Sequence, residues 1–222
     1  MQPMSMVYAP PADQGLDMIF QDEHLLVLNK PAGLLAVPGR GADRQDSLAS
    51  RVQRRYPSAL IVHRLDMATS GLMLMALNPQ TQRELSCLFQ QRVVSKQYEA
   101  VVAGQVQALE GDIDLPLIAD WPNRPRQKVD RQAGKPSLTR YRLIAHDVDS
   151  DTSRMALSPV TGRSHQLRVH MQAIGHPILG DPLYASEAIR AQAERLLLHA
   201  SHLSLPHPCS GESMAFSCAV PF

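Results

Sequence analysis

The stretch IVHRLDMATSGLMLMALN, residues 61–78, sets an apolar run on either side of a polar turn that carries an aspartate. Its second half, GLMLMAL (71–77), is short, wholly apolar and bounded by Gly71 and Asn78-Pro79, which predicts a buried strand rather than a helix. The turn holds His63, Arg64, Asp66, Thr69 and Ser70. Turns between core strands are where a rigid scaffold presents reactive groups. From spacing alone, Asp66 reads either as such a group or as an Asx-turn carboxylate bonded to local backbone.

Working outward, Asn78 as N-cap and Pro79 at the first helical position predict a helix with Leu85, Leu88 and Phe89 on its inner stripe, and SKQYEAVVAG (95–104) returns as a strand. Upstream, MIFQDEHLLVLNKPAG (18–33) predicts two short strands around a polar turn. Leu48, Val52 and Tyr56 then recur at helical spacing between Asp46, a start signal, and Pro57, with Arg51, Arg54 and Arg55 on the other face. Downstream, LTRYRLIAHD (138–147) and SRMALSPV (153–160) form a strand pair joined by DVDSDT. SHQLRVHMQAIG (164–175) predicts a helix capped by Ser164 and ended by Gly175, with His165, Arg168 and Gln172 on one face. SEAIRAQAERLLLHA (186–200) predicts a further helix, and HLSLP (202–206) and SMAFSCAVP (213–221) two closing strands. Residues 1–15, with three prolines, read as a loose tail. This order predicts one α+β (mixed α/β) domain over residues 16–222.

With 222 residues, 44% hydrophobic and 19% charged, the chain can bury a sizeable core, which excludes wholesale disorder and fibrous structure. The N-terminal stretch lacks a signal-like apolar region, and no apolar run is long enough to span a membrane, so a soluble cytoplasmic protein is expected. Cys87, Cys209 and Cys218 are an odd count without a CxxC pair; reduced, mostly buried thiols are expected. A net charge of +1 hides an uneven placement. Residues 121–142 carry Arg124, Arg126, Lys128, Arg131, Lys135, Arg140 and Arg142 against Asp130 alone, and residues 40–64 carry six arginines against Asp43 and Asp46. Two such segments in a nearly neutral chain are either a solvated loop surface or the footprint of a polyanion binder.

His63-Arg64-Leu65-Asp66 followed by Thr69-Ser70-Gly71-Leu72 resembles the HRLDxxTSGL signature of the RluA-type RNA pseudouridine synthases. The resemblance extends to NKPAGLLAVPG (29–39), to Lys96-Gln97-Tyr98-Glu99-Ala100, and to TGRSHQLRVH (161–170) followed by GHPILGDPLY (175–184), in the family's order. It implies a pseudouridine-synthase-type catalytic domain with a central, mostly antiparallel sheet flanked by helices. It also implies an isomerase that breaks the N1 glycosidic bond of selected uridines, rotates the base and rejoins it through C5. That reaction needs no redox cofactor, metal or nucleotide.

By the same resemblance, Asp66 is the catalytic aspartate, nucleophile or base toward the sugar, and must be ionised. Arg168 is its charge partner, since a carboxylate in a closed, partly apolar site drifts toward neutrality without a fixed cation. Tyr98 is the active-site tyrosine, a stacking platform and a candidate for moving the C5 proton. Arg64 fills the gap left when the uridine leaves its stack. His63, Thr69, Arg163 and His165 are expected to contact substrate, and Arg124, Arg126, Lys128 and Arg131 to form a basic arm that clamps an RNA stem.

Two other readings stand beside this one. A metal site on His165 and His170 is disfavoured because their i, i+5 spacing puts them about 140° apart on a helix. A non-catalytic RNA-binding module would explain the charge and leave HRLD unexplained. NKPAG begins at residue 29, so no separate N-terminal RNA-binding domain is expected, as in the compact RluA branch. That branch implies a uridine in the tRNA anticodon loop (position 32) and one in 23S rRNA (position 746) as targets; separately, a monomer is expected.

Overall fold

The computed structural model describes residues 8–222. It opens with β1 (Met18–Gln21) and β2 (Leu25–Lys30), then α1 (Leu48–Arg55), β3 (Leu60–Ile61), β4 (Ser70–Ala76), α2 (Pro79–Gln90) and β5 (Ser95–Ala103). There follow β6 (Glu110–Asp114), β7 (Leu117–Ala119), β8 (Gln127–Val129), β9 (Leu138–Asp147) and β10 (Thr152–Pro159). The chain closes with α3 (Gln166–Ala173), α4 (Glu187–Arg190), β11 (Leu198–Pro206) and β12 (Ser213–Ser217).

Among the described residues, one sheet of ten strands runs in the order β1, β2, β4, β11, β5, β10, β9, β6, with β3 also on β4 and β12 also on β11. Every pairing is antiparallel except that of β4 with β11, and β7 and β8 make a hairpin of their own. The expected α+β class and mostly antiparallel sheet are what the chain forms.

β4 is buried along its whole length because β2 covers one edge, β11 (at Ser70 and Gly71) and β3 (at Met75 and Ala76) cover the two ends of the other, and a helix packs on each face. Met73 and Met75 pack with Leu48, Ala49 and Val52 of α1, and Leu72, Leu74 and Ala76 with Leu85 of α2. Alternate side chains thus enter opposite cores, each fully buried Leu or Met contributing about 2 kcal/mol. A third core lies under α3, where Leu167 and Met171 meet Ala100, Val102, Met155 and Leu157. Gly71 has φ 112, and a Cβ there would collide with the Ala200 backbone, so only glycine lets β4 and β11 join.

Several expectations need correction. The N-cap of α1 is Ser47, whose side chain accepts from Ser50 N, whereas Asp46 holds Arg51 through Nε (2.9 Å) and Nη2 (2.7 Å). Arg51 is therefore buried, and Asp13 pairs with Arg54, so the 40–64 segment is partly neutralised rather than a free basic face. His165, in the left-handed region at φ 56, occupies the N-cap of α3 in place of Ser164. The helix expected over 186–200 stops at Arg190, and Leu198–Ala200 instead enter β11. Lying between β4 and β5, this segment needs apolar side chains on both faces, and its apolar run suits that as well as it suits a helix. Cys87 and Cys209 are exposed and Cys218 is half-buried, against the expected burial of thiols, and all three are free.

Residues 1–7 of the expected tail lie outside the described residues. Within the remainder, the Tyr8 hydroxyl bonds to Asp46 O (2.9 Å) and Leu35 N (3.0 Å), and Pro11 O accepts from Arg51 (2.6 Å). Among the described residues, no helix is long and apolar enough to cross a membrane.

Candidate active site

Asp66 lies in the loop between β3 and β4, and the backbone around it is tied down from two directions. Thr69 N donates to Asp66 O (3.1 Å), and Met67 O accepts from Gly33 N (2.9 Å) and from Lys30 Nζ (3.2 Å). Lys30 is fully buried and directs its other donors to Pro31 O (2.9 Å) and Leu34 O (2.7 Å). Burial draws this amine down to about 7, with Asp66 opposing the shift and Arg195 adding to it. The NKPAG and HRLD segments, far apart in sequence, are thereby clamped together at the carboxylate.

The Asp66 side chain is 27% exposed and opens on a cleft of about 320 Å³, whose walls include Arg64, Lys96, Tyr98, Arg163, His165 and Arg168. From α3, Arg168 Nη1 approaches Asp66 Oδ2 at 3.4 Å. The other edge of the guanidinium is closed by Asp181, with Nε to Oδ2 and Nη2 to Oδ1 both at 2.7 Å. Asp181 is itself fully buried and accepts from Leu183 N (2.8 Å) and Tyr184 N (3.1 Å). Burial works against the Arg168 charge, but the Asp181 bonds and the two carboxylate charges outweigh it and hold the guanidinium more firmly protonated.

His165 Nε2 is 3.9 Å from Asp66 Oδ1, and its Nδ1 is 2.6 Å from the Tyr184 hydroxyl, which accepts from Gln127 N (2.8 Å). The Tyr184 hydroxyl thus ties His165 Nδ1 to the β8 backbone, and the other ring nitrogen, Nε2, faces Asp66. Burial lowers His165 from its ordinary value, against the pull of Asp66. Tyr98, on β5, lines the same cleft; burial and then the Asp66 charge push its phenol up, leaving it protonated at neutral pH.

Of the remaining expected site residues, Arg64 is exposed at the cleft, and Arg163 lines it with Nε toward Pro136 O (3.3 Å). His63 forms part of the wall, stacked on Phe89 at 4.8 Å, with Nε2 accepting from Leu74 N (2.9 Å). Thr69 is buried at 3% exposure beneath the turn, outside the cleft lining. Arg124, Arg126, Lys128 and Arg131 lie apart from the cleft, on the β7–β8 hairpin and the turn after it. Arg124 covers the exposed Trp121 ring at 3.0 Å, and Arg126 stands over Tyr184 at 5.4 Å. Arg140 and Arg142 belong to β9 of the main sheet, so the basic segment is not one continuous arm. His170 spends one nitrogen on Thr139 Oγ1 (2.9 Å) and the other on Leu115 O (3.0 Å).

Sequence reasoning missed Asp181, Tyr184 and Lys30. The first two share the GDPLY segment, where an acid beside an aromatic after a glycine turn was the available signal; nothing local in the sequence marks Lys30 as buried.

Residues 24–173 match the family model described as RNA pseudouridylate synthase. The chain is 53% identical over 215 residues to the dual-specificity RNA pseudouridine synthase RluA of Escherichia coli strain K12, covering 97% of this chain and 98% of that protein. Identity to the protein of the same description from Vibrio parahaemolyticus is 53% over 206 residues, covering 91% of this chain and 82% of that one. Among solved structures, human RNA pseudouridylate synthase domain containing 1 superposes with a TM-score of 0.81 at 30% identity, covering 96% of this chain and 87% of that one. A cleft that converges on Asp66, carried by a chain with this identity over nearly its full length, makes the protein an RNA isomerase of the RluA family of RNA pseudouridine synthases.

Proposed function

We propose that this chain converts uridine to pseudouridine in both a tRNA anticodon loop, at position 32, and 23S rRNA, at position 746, with Asp66 as the catalytic carboxylate. The observation that carries the reading is the meeting of Asp66, Arg168 and Tyr98 at one cleft from three separate stretches of the chain. The dual-specificity description of relatives 53% identical over nearly the whole chain supports the two substrates.

In this reading the target uridine leaves its stack and lays its base on Tyr98, and Arg64 occupies the vacated place. Arg168 keeps Asp66 ionised and oriented toward C1′ or the base. The N1–C1′ bond breaks, a C5–C1′ bond forms, C5 loses its proton and N1 gains one, so atoms balance without an added reactant. A protonated Tyr98 phenol supports stacking and hydrogen-bond donation. The β7–β8 hairpin grips the stem, residues 16–222 act as one catalytic domain, and the enzyme works as a monomer in the cytoplasm. A non-catalytic binding module leaves the clamped, arginine-paired carboxylate without a task.

The test is tritium release from RNA labelled at uridine C5, using tRNA and 23S rRNA transcripts with the chain and its Asp66→Asn variant. The chain alone should release tritium from both RNAs. Release by the variant at the same rate removes Asp66 from the reaction, and release from one RNA only removes dual specificity.

A further inference from the structure

Two lysines of the chain are drawn into the protein around the cleft, and they differ in one respect. Lys30 has all its donors taken by carbonyls, as the distances above record. Lys96 lines the cleft half-buried, with Nζ 5.8 Å above the Phe89 ring, and among the described residues neither a carboxylate nor any hydrogen-bond acceptor serves it. Burial lowers this amine from its ordinary value, and no neighbouring acid offsets the shift. A partly desolvated ammonium with unused donors is a site prepared for an anion.

The surroundings say which anion. Lys96 and Tyr98 are two apart on β5 and face the same cleft, so the ammonium stem starts about 7 Å along the strand from the ring expected to hold the base. His63 and Phe89 wall it on one side. Across the cleft is exposed Gly162, where an added Cβ would meet nothing but Lys96 Nζ, at 3.9 Å, so the space before the ammonium is open because residue 162 has no side chain. An ammonium displaced from the base by this step, and facing a gap, fits the neighbouring linkage of the strand.

We infer that Lys96 Nζ binds a non-bridging oxygen of a phosphodiester flanking the flipped uridine, in the gap kept open by Gly162. The inference rests on the reading of Asp66 and Tyr98 given above. It makes Lys96 a substrate-binding residue that holds the strand while the base turns, separate from the reacting carboxylate.

The test uses the intact chain, substrate stem-loops with a neutral methylphosphonate at the linkage 5′ or 3′ of the target uridine, and the variants Lys96→Met, Lys96→Arg and Gly162→Ala. Lys96→Met should bind unmodified RNA about tenfold more weakly, and its slope of log affinity against log salt should be shallower by about 0.7. Lys96→Arg should keep most of the affinity, and Gly162→Ala, which meets no protein atom closer than 3.9 Å, should weaken binding without changing Tm. One of the two methylphosphonates should weaken wild-type binding about tenfold and leave Lys96→Met nearly unaffected. The inference is overturned if wild type is indifferent to neutralisation at both linkages, a result independent of how any variant folds. It is also overturned if Lys96→Met keeps full sensitivity at both. If wild type binds the RNA but forms no pseudouridine, the substrate reading fails instead, and the methylphosphonate arms still decide the phosphate contact.

Discussion

Arg168 reaches Asp66 with a single donor, Nη1 at 3.4 Å from Oδ2, because Asp181 holds its other edge through two bonds of 2.7 Å. The pair is therefore not a closed fork. An arginine free to rotate would present two N–H groups to Asp66 and bury its oxygens in a bidentate ion pair. Asp181 prevents that, and leaves the Asp66 carboxylate only lightly engaged.

The expectation for Asp181→Asn is a fall in kcat of about 100-fold with KM for RNA within a fewfold of wild type, the usual result of misplacing a group by about 1 Å. Arg168→Ala should likewise damage turnover far more than binding. Equal losses in kcat and affinity, from single-turnover and binding measurements, would mean that Arg168 grips RNA rather than orienting Asp66.

A second contact chain links the cleft to the basic hairpin: Gln127 N to the Tyr184 hydroxyl, then to His165 Nδ1. Tyr184→Phe removes one oxygen from this chain and strands a backbone N–H on β8, a change of about 1–3 kcal/mol. Turnover should fall about tenfold while the core stays folded, and His165→Gln in the same background should add little, because both changes break one chain. Multiplicative losses in that double-mutant cycle would show two independent roles.

How much of this was legible beforehand depended on whether the information was local. The run 71–77 read as a buried strand because its apolar side chains serve two cores at once, and Asn78 and Pro79 marked the start of α2 for reasons internal to that helix. Asp66, Arg168 and Tyr98 were legible through motif resemblance, and they do meet at one cleft. What was illegible lay in tertiary partners. Arg51 reads as surface until Asp46 and Pro11 are seen around it, and the Leu198–Ala200 run reads as helix until β4 and β5 are seen to flank it. Asp181 could be assigned no task before the guanidinium it holds was seen to face Asp66.

Several buried histidines contribute to an acid limit on stability, His63 and His199 among them. Burial, helped by Lys96, holds His63 down at about 3, and burial, helped by Arg195, holds His199 down at about 4. Between these values and about 6.5 the unfolded chain binds protons that the folded chain refuses, so stability is full above pH 6.5 and falls as pH drops toward 4. Lowering pH from 7 to 5 should reduce Tm by on the order of 5 °C, and the reduction should be smaller in His199→Asn. Identical reductions in variant and wild type would remove His199 from the account.

The hairpin prediction separates grip from chemistry. Arg124, Arg126, Lys128 and Arg131 stand away from the cleft, and Trp121 at the hairpin tip is 66% exposed with the Arg124 guanidinium over its ring. A phosphate contact adds about 0.7–0.9 to the magnitude of the salt slope, so reversing Arg124, Lys128 and Arg131 together should flatten that slope by about 2 or more. Affinity at low salt should drop by one to two orders of magnitude, and kcat at saturating RNA should hold within about threefold, since none of the three touches the Asp66 pocket. Arg126 is left in place because it stacks over Tyr184 and its loss would mix the two effects. An unchanged salt slope after the triple reversal would detach the hairpin from RNA and return these cations to an ordinary solvated surface.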